Sequence, residues 1–480
     1  MKFQRILLTL ATTLLLALLL VACGDETPTP VVATIIPTSL TNPNTSPATA
    51  SPAPSSGAAT FTSGRTAVAI SQPASNGVTE LNFYFPAVTD GPIPQTFKKY
   101  TEEFTKANPD VKVNVVLVGS YADVLKKVQT EIKAGEDSAD VAIMSASDLY
   151  TLTDNDLIVP FDDLVAHAKG GDAYIKDFYP AFMLNSQANG KTWGIPFQRS
   201  TPVLYYNKDA FKEVGLDPDK APATFKEMAA AAQKLTKPDG SRYGIKIPTD
   251  GFSYWLLQSL AISNGENVVS DAANQVMFNT PATQQGLTDF QSLVTSYKAM
   301  PKGMISWEDI PGDFINGYAA MVYHTSSSLT NIVAKAPFNV GVSFLPAGTK
   351  GFGTTTGGGN LYLIKNKAAQ KQQAAFRLVQ FLTDSARLAD WMQVAGYVAP
   401  RKAAWDIDTL KLLVYNHPQY AVSRDQLQYA QKELATHASV AVQQILNKAV
   451  QAVISGEKDP TKALADAQAE ADKLLAAYKN

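Results

Sequence analysis

The sequence is poor in the residues that metal sites and disulfide frameworks need. It has 1 cysteine and 4 histidines among 480 residues. One cysteine cannot form an intrachain disulfide or a zinc site built on several thiolates. The histidines, which lie far apart and lack the H-E-x-x-H spacing of zinc proteases, are His167, His324, His417 and His437. We therefore expect no metal site and no cofactor.

The chain also lacks an excess of positive charge. Its 41 lysines and arginines face 43 aspartates and glutamates, which gives a net charge of -2. A broad nucleic-acid surface needs a basic excess, so we expect no nucleic-acid partner. At 480 residues and 45% hydrophobic composition, the chain is long enough for two or more folded units with real cores.

An apolar run opens the chain. Lys2 and Arg5 precede the run from Ile6 to Val21, which only threonine and alanine interrupt. This is the pattern of a secretory signal, and the run is shorter than the ~20 apolar residues that a membrane-spanning helix needs. It ends in Leu-Val-Ala-Cys23, which resembles the bacterial lipobox, where the cysteine is acylated and becomes the new N-terminus. We predict a lipoprotein signal peptide over residues 1–23 and a lipid anchor at Cys23 that holds the protein on the outward-facing side of the cell membrane.

A segment rich in threonine, proline, serine and alanine follows the cysteine, most clearly over residues 24–64. Recurrent proline blocks helices and sheet ladders, and the segment has few groups that could form a core. We predict a semi-extended tether over residues 24–78. A lipid anchor with a tether indicates a domain that faces outward and must reach a partner.

The rest of the chain alternates between strand and helix patterns. Residues 81–85 alternate in hydrophobicity and are rich in aromatics, as a strand is, and 111–118 form a second strand pattern. Residues 121–134 have the spacing of an amphipathic helix, and 141–144 that of a buried strand. The alternation resumes from about residue 203, and helical patterns dominate after residue 367. This order predicts an α/β fold with mostly parallel sheets covered by helices on both faces.

One long segment carries a family resemblance. Residues 193–218 read WGIPFQRSTPVLYYNKDAFKEVGLDP, which resembles the most recognisable segment of family 1 extracellular solute-binding proteins, the receptors that feed ABC importers. Further matching stretches follow in order at 221–228, 314–321, 328–332, 357–361 and 396–400. Together they extend the resemblance over nearly all of 79–480. The letters STPVLYYNKDAF and the Gly396-Tyr-Val-Ala-Pro segment are most similar to the glycerol-3-phosphate-binding branch.

The resemblance implies a two-lobed periplasmic-binding-protein fold of type II, each lobe a mostly parallel sheet flanked by helices, with three crossings between the lobes. The implied ranges are 79–199 and 326–392 for lobe 1, and 200–325 and 393–480 for lobe 2. The crossings would fall near Arg199–Thr201, His324–Ser326 and Met392–Tyr397. A ligand that gains contacts only in a closed state would shift an open–closed equilibrium.

The resemblance also implies ligand-contacting positions, which are Tyr121, Ser147, Ser200, Thr325, Gly358 and Tyr397. Ser147 departs from the branch, which has an acidic residue there for ligand hydroxyls. Neighbouring Asp148 could substitute, or it could cap the following turn. Gly358 lies in a glycine triplet whose bare backbone N–H groups can face an anion or a hydroxyl. Of the aromatics that could stack on a sugar or belong to the core, we note Tyr84, Trp193, Phe225 and Trp255.

The C-terminal helix carries the clearest departure. Where the branch has an arginine that pairs with phosphate, this chain has Gln443, and a neutral amide cannot replace a bidentate guanidinium. Three explanations stay open: the register is slipped, the anion is held elsewhere, or the ligand is not anionic. Arg199, beside Ser200, is the alternative anion partner, or else forms a surface or interlobe salt bridge.

We therefore predict a monomeric, membrane-anchored solute-binding protein that captures a small polyol, sugar or glycerol-phosphate-like solute and delivers it to an ABC permease without covalent chemistry. A neutral oligosaccharide receptor of the same family is the alternative that Ser147 and Gln443 favour. A secreted glycan-active enzyme is the alternative from another class. The sequence has no G-x-S-x-G elbow to support a serine hydrolase.

Overall fold

The computed structural model describes residues 77–87, 91–168, 170–365 and 367–478. All of them belong to the unit that spans Ala67–Asn480. The predicted signal peptide, Cys23 and nearly all of the predicted tether lie outside the described residues. Within those residues, no helix combines the length and the apolar character that crossing a membrane requires.

The strands are numbered in chain order. They are β1 (Thr79–Phe85), β2 (Val111–Leu117), β3 (Val141–Ser145), β4 (Ile158–Val159), β5 (Gln187–Ala188), β6 (Lys191–Thr192), β7 (Ile195–Ser200), β8 (Pro202–Asn207), β9 (Met321–Thr325), β10 (Val340–Ser343), β11 (Thr354–Thr355), β12 (Gly357–Ile364) and β13 (Ala430–Gln431).

The helices are numbered in the same way. They are α1 (Pro92–Ala107), α2 (Tyr121–Ala134), α3 (Leu149–Asp154), α4 (Asp162–His167), α5 (Gly171–Lys176), α6 (Pro180–Met183), α7 (Lys208–Glu213), α8 (Phe225–Leu235), α9 (Ser253–Ser263), α10 (Pro281–Thr295), α11 (Ile310–Ile315), α12 (Leu329–Lys335), α13 (Ala369–Leu382), α14 (Ser385–Ala395), α15 (Asp408–Asn416), α16 (Val422–Asp425), α17 (Ser439–Ile454) and α18 (Pro460–Leu475). The predicted α/β class is confirmed, including the helical C-terminal part.

A six-stranded sheet has the order β2-β1-β3-β12-β4, with β7 also paired to β12. β1 runs parallel to β2 and β3, whereas β12 is antiparallel to β3, β4 and β7. The prediction of a mostly parallel sheet is therefore wrong, and the sheet is mixed. The physical reason is that β12 returns from a distant part of the chain and inserts between β3 and β4 in the opposite direction.

A second sheet has three strands in the order β10-β8-β9, all antiparallel. β7 ends at Ser200 and β8 begins at Pro202, so the chain passes from one sheet to the other within one residue. β10 pairs with β8 through Val340–Ser343. Residues 340–343, which the predicted ranges place in lobe 1, therefore share a sheet with β8 and β9, which those ranges place in lobe 2. The predicted lobe ranges and crossings stay a prediction.

The side chains of β1 alternate between two faces of the large sheet, as the pleat requires. Leu81, Phe83 and Phe85 pack into the main core with residues of α1, and Tyr84 packs on the other face with residues of α2. α9 differs from these surface helices, because every one of its 11 residues is buried. A helix that is apolar all round belongs inside a protein, and α9 carries an aromatic side chain into the site described next.

Candidate ligand-binding site

A cavity of about 160 Å³ lies where strand ends of both sheets meet. β3, β7 and β9 contribute residues at their carboxyl ends, and β12 contributes its first residues. The lining residues are Tyr121, Ser145, Ser200, Phe252, Trp255, Trp307, Thr325, Ser327, Gly357, Gly358, Tyr397 and Glu433. Crevices at the carboxyl ends of strands are where open α/β folds bind ligands.

The structure brings together five of the eight residues that the sequence pointed to. These are Tyr121, Ser200, Thr325, Gly358 and Tyr397. They come from five separate parts of the chain, so their convergence on one cavity is a property of the fold. Their contact with a ligand stays a prediction.

Two tyrosines form one wall of the cavity. Tyr121 is the first residue of α2, where Ser120 and Asp123 form a capping box that fixes the helix start. Its hydroxyl donates to Gln198 Oε1 at 2.7 Å and lies 3.4 Å from the hydroxyl of Tyr397. The Tyr397 ring stacks on the buried Trp391 with a 4° interplanar angle. Burial raises the pKa of both phenols, so each presents a neutral hydroxyl to a ligand near neutral pH.

The floor beside these tyrosines is bare backbone at Gly357 and Gly358. Gly358 has φ +94°, and a Cβ there would lie 1.9 Å from the carbonyl oxygen of Gln198. A Cβ on Gly357 would lie 2.7 Å from the Trp255 ring. Only glycine fits both positions, because the opposing backbone and the indole approach too closely for any side chain.

Three aromatic rings that pack on one another form an aromatic wall of the cavity. Trp255 and Trp307 have ring centroids 6.2 Å apart at 62°, and Phe252 and Trp307 have centroids 5.0 Å apart at 64°. Trp255 Nε1 donates to the carbonyl of Thr356 at 2.9 Å, which fixes its ring. His324 packs on Trp307 at 4.1 Å, and burial lowers its pKa to about 3, so the imidazole is neutral. Trp255 is the only one of the four aromatics noted in the sequence that lines the cavity.

The other three noted aromatics lie elsewhere. The Tyr84 hydroxyl donates to Glu131, Trp193 Nε1 donates to the carbonyl of Ala188, and Phe225 belongs to the main core. Trp307 and Phe252 carry no local signal in the sequence, since only the tertiary fold turns their rings toward the strand ends.

Hydroxyl groups lie at the ends of one strand from each sheet. β3 ends in Ser145, whose side chain accepts from Ser147 N, and β9 ends in Thr325, whose side chain accepts from Ser327 N. Each strand is followed by one turn of 3₁₀ helix and then an α-helix. The two sheets therefore present matching hydroxyl-bearing turns to the cavity, and a polyhydroxylated ligand could pair with both.

Glu433 is a lining residue that the sequence reasoning missed. Its side chain is 3% exposed, Oε1 accepts from the Tyr254 hydroxyl at 3.1 Å, and Oε2 is buried without a hydrogen-bond partner. Asn185 Oδ1 accepts from its backbone N–H at 2.9 Å. Burial raises the pKa of Glu433 to about 8, against the opposing effect of Arg199. No motif marks this residue, which lies in an irregular stretch before α17.

Three of the predicted contacts do not line the cavity. Ser147 is buried behind Ser145, with the two hydroxyls 2.9 Å apart. Arg199 is fully buried, and it donates to Thr356 Oγ1 at 2.9 Å and to Asn360 Oδ1 at 3.3 Å. The alternative prediction of a surface or interlobe salt bridge is wrong, because Arg199 is buried and forms no ion pair within the described residues, and its Nε has no hydrogen-bond partner there. The pairing of Arg199 with an anionic ligand stays a prediction.

Gln443 is also turned away from the cavity. Its Nε2 donates to the carbonyl of Leu434 at 2.9 Å, which ties the amide to the chain just before α17. Asp148, the proposed substitute for the missing acid, immediately precedes α3, yet its side chain makes no capping hydrogen bond. Burial raises the pKa of Asp148 to about 7.

Comparison with known proteins identifies relatives over most of the chain. A family described as bacterial extracellular solute-binding protein matches residues 99–422. The sn-glycerol-3-phosphate-binding periplasmic protein UgpB of Escherichia coli (strain K12) is 26% identical over 413 residues, which cover 81% of this chain and 91% of that protein. UgpB of Shigella dysenteriae is similar to the same extent.

Solved structures show the same fold. The structure of UgpB from Mycobacterium tuberculosis in complex with glycerophosphocholine is similar with a TM-score of 0.72 at 21% identity, over 84% of this chain and 100% of that one. Maltose-bound MalE3 of T. maritima is similar with a TM-score of 0.71 at 21% identity, over 83% and 100%. The two-lobed periplasmic-binding-protein fold predicted from the sequence is thereby confirmed.

Proposed function

This chain belongs to the bacterial extracellular solute-binding proteins, and from that premise we propose that it captures a small polyol, sugar or glycerol-phosphate-like solute in the cavity between Tyr397 and Trp307. It then delivers the solute to the membrane subunits of an ABC importer. The observation that carries the proposal is the composition of the cavity, where three aromatic rings face hydroxyls and bare glycine backbone.

Each part of the lining suits this class of ligand. Aromatic faces stack on the C–H surface of a sugar or polyol, and hydroxyls of Ser145, Ser200 and Thr325 can exchange hydrogen bonds with ligand hydroxyls. The phenols of Tyr121 and Tyr397 add two more neutral donors. Because residues of both sheets line the cavity, a solute there would contact both predicted lobes and favour their closed arrangement.

The charge of the ligand distinguishes the two alternatives within this family, which are a glycerol-phosphate-like solute and a sugar or oligosaccharide. Among the residues that the structure describes, those lining the cavity include no lysine, arginine or histidine, and they include one acid, Glu433. This supports a sugar or oligosaccharide over an ionised phosphate ester, because none of the described lining side chains carries the positive charge that would pair with a buried phosphate. UgpB and MalE3, the relatives named above, carry names and titles that cover both kinds of ligand.

The proposal includes the setting of the protein. We propose that Cys23 is acylated and becomes the N-terminus when the residues before it are removed, that residues 24–78 tether a monomeric binding domain, and that this domain faces outward from the cell membrane. The permease is the protein partner. A secreted glycan-active enzyme is the competing class, and stoichiometric binding of a labelled glycan without turnover by the pure protein would decide against it.

The test is a thermal-shift screen of the pure full chain against glycerol-3-phosphate, its diesters, and mono- and oligosaccharides. A solute at 100 times its Kd stabilises the folded state by about 2.7 kcal/mol, a readily measured shift. Phe252→Ala removes a cavity ring that is 41% exposed, and Phe352→Ala removes a ring that is 39% exposed and outside the cavity. We expect only Phe252→Ala to reduce the shift, and equal shifts in both variants would place binding elsewhere.

A further inference from the structure

The lining of the cavity includes a carboxyl group with an unsatisfied oxygen. Glu433 Oε2 is buried and lacks a hydrogen-bond partner, whereas Oε1 accepts only from the Tyr254 hydroxyl. A buried carboxylate oxygen without a partner is costly, and proteins keep such groups where something else completes the site. Because Glu433 lines the cavity, the group that completes it would come from a ligand, and that group must be a donor or a cation.

The charges around Glu433 point to a cation. The ionisable groups that face it are Arg199, Asp148 and the phenol of Tyr254, and Glu433 in turn acts on Tyr121 and Tyr362. The phenols stay neutral because burial raises their pKa. This leaves two buried acids, Asp148 and Glu433, against one buried base, and Thr356 and Asn360 already accept from the Arg199 guanidinium. With both acids ionised, one negative charge would be uncompensated, and a ligand cation can take the place of the proton that neutralises it in the empty cavity.

The aromatic wall suits the same kind of ligand. Phe252 and Trp255 both meet Trp307 at steep angles, 64° and 62°, so the rings form a corner that presents more than one π-face. An organic cation that sits against such a corner is attracted by the ring quadrupoles. An inorganic phosphate or a phosphate monoester gains nothing from the rings and meets no cationic side chain among the described lining residues.

We propose that the cavity contains a subsite for a positively charged nitrogen of the ligand, either a protonated amine or a quaternary ammonium, with Glu433 as its counter-ion and Trp255, Trp307 and Phe252 as its aromatic walls. The inference rests on the proposed function and adds the charge of the solute. It makes Glu433 the residue that sets specificity against anionic solutes, in place of the phosphate-pairing arginine that the sequence lacks at Gln443.

The subsite has a pH signature of its own. Burial raises the pKa of Glu433 to about 8 and that of Asp148 to about 7, so the empty cavity holds protons near neutral pH. A cation binds more strongly to the ionised acids and therefore releases a proton. Its affinity should rise between about pH 6 and 9, that of a neutral solute should change little, and that of an anion should fall.

The experiment compares cations with neutral molecules of the same shape by calorimetric titration of the full chain. Choline is paired with 3,3-dimethyl-1-butanol, which lacks only the charge, and D-glucosamine is paired with D-glucose below the pKa of its amine. The two pairs separate a quaternary ammonium from a protonated amine. We expect at least one cation to bind roughly tenfold to a hundredfold more tightly than its neutral partner.

Two variants locate the effect. Glu433→Gln removes the counter-ion and should abolish the preference for the cation, whereas Glu308→Gln removes an exposed acid next to Trp307 that does not line the cavity, and should retain it. If Glu433→Gln fails to fold, the rise of choline affinity with pH in the unaltered protein carries the test, because the charge of choline does not titrate.

Equal binding of each cation and its neutral partner, or an unchanged preference in Glu433→Gln, would overturn the subsite. In that case binding of glucose or of a neutral oligosaccharide would leave the proposed function standing. Failure of every solute, charged or neutral, to bind in the cavity would overturn both.

Discussion

The buried acid of the cavity makes a prediction about stability that needs no ligand. Glu433→Gln replaces the carboxyl group by a neutral amide of nearly the same shape. Burial raises the pKa of Glu433 from the ordinary 4.5 to about 8, which corresponds to roughly 4–5 kcal/mol at about 1.4 kcal/mol for each pKa unit. The folded protein therefore binds this proton more tightly than the unfolded chain does.

The sign follows from that difference. Below the unfolded pKa of 4.5 both states are protonated, and Glu433 contributes no penalty. As the pH rises toward about 8 the unfolded chain ionises while the folded protein keeps its proton, so the unaltered protein loses stability, and above that pH the loss levels off. The glutamine variant has no ionisable group at this position, so it does not undergo this loss of stability. Its advantage should grow from near zero to at most roughly 4–5 kcal/mol over this window.

The assay is urea unfolding of both proteins, followed by tryptophan fluorescence at several pH values across this window. If the new amide changes the free energy of unfolding by a constant amount, the stability difference between the two proteins shifts equally at every pH, and its dependence on pH is unchanged. Asp148 is present in both proteins, so its contribution to the difference largely cancels. Glu308→Gln, an exposed acid, is the control and should give a flat difference. A stability difference between Glu433→Gln and the unaltered protein that does not change with pH would refute the reasoning.

Three further predictions follow from single residues. Gly358→Ala should lower the free energy of unfolding by roughly 2–4 kcal/mol in denaturant unfolding, because its φ of +94° and the 1.9 Å approach to a carbonyl oxygen leave no room for a Cβ. Gly312→Ala, with open space around it, should leave the free energy of unfolding nearly unchanged. An equal loss of stability in the two variants would contradict this. Arg199→Met should lower the free energy of unfolding by roughly 2–4 kcal/mol, because it leaves two buried acceptors unpaired. A variant that keeps the stability of the unaltered protein but loses binding of an anion would instead make Arg199 a ligand residue. Cys23→Ala should release the protein from the membrane fraction or leave it unprocessed, and fractionation like that of the unaltered protein would exclude the anchor.

The sequence predicted best what short segments determine. The helix expected over 121–134 is α2, Tyr121–Ala134, because its apolar spacing, its capping box and the glycine after it are all local. The antiparallel direction of β12, which makes the large sheet mixed, could not be predicted, because the chain between β3 and β12 is more than 200 residues long and nothing in the strand itself encodes its orientation. The same holds for β10, whose pairing with β8 depends on distant residues.

In the candidate site, too, the residues in recognisable local segments could be predicted, whereas those placed by tertiary contacts could not. Tyr121 and Tyr397 were identified because each lies in a segment that resembles a family motif, and the fold brings their hydroxyls within 3.4 Å. Trp307 and Glu433 were missed because each lies in an irregular stretch, where orientation toward the cavity is set by tertiary contacts. The resemblance places Gln443 at the phosphate-pairing position, yet its side chain donates to the carbonyl of Leu434 and does not line the cavity.

The central claim is that one solute molecule binds in the cavity between the tyrosine wall and the aromatic wall. X-ray diffraction from crystals grown with the solute that gives the largest thermal shift tests this most directly. We expect electron density for one molecule that contacts the rings of Trp255 and Trp307 and reaches Ser200 and the backbone of Gly358. A solute bound at another surface, with none in the cavity, would contradict binding at this site.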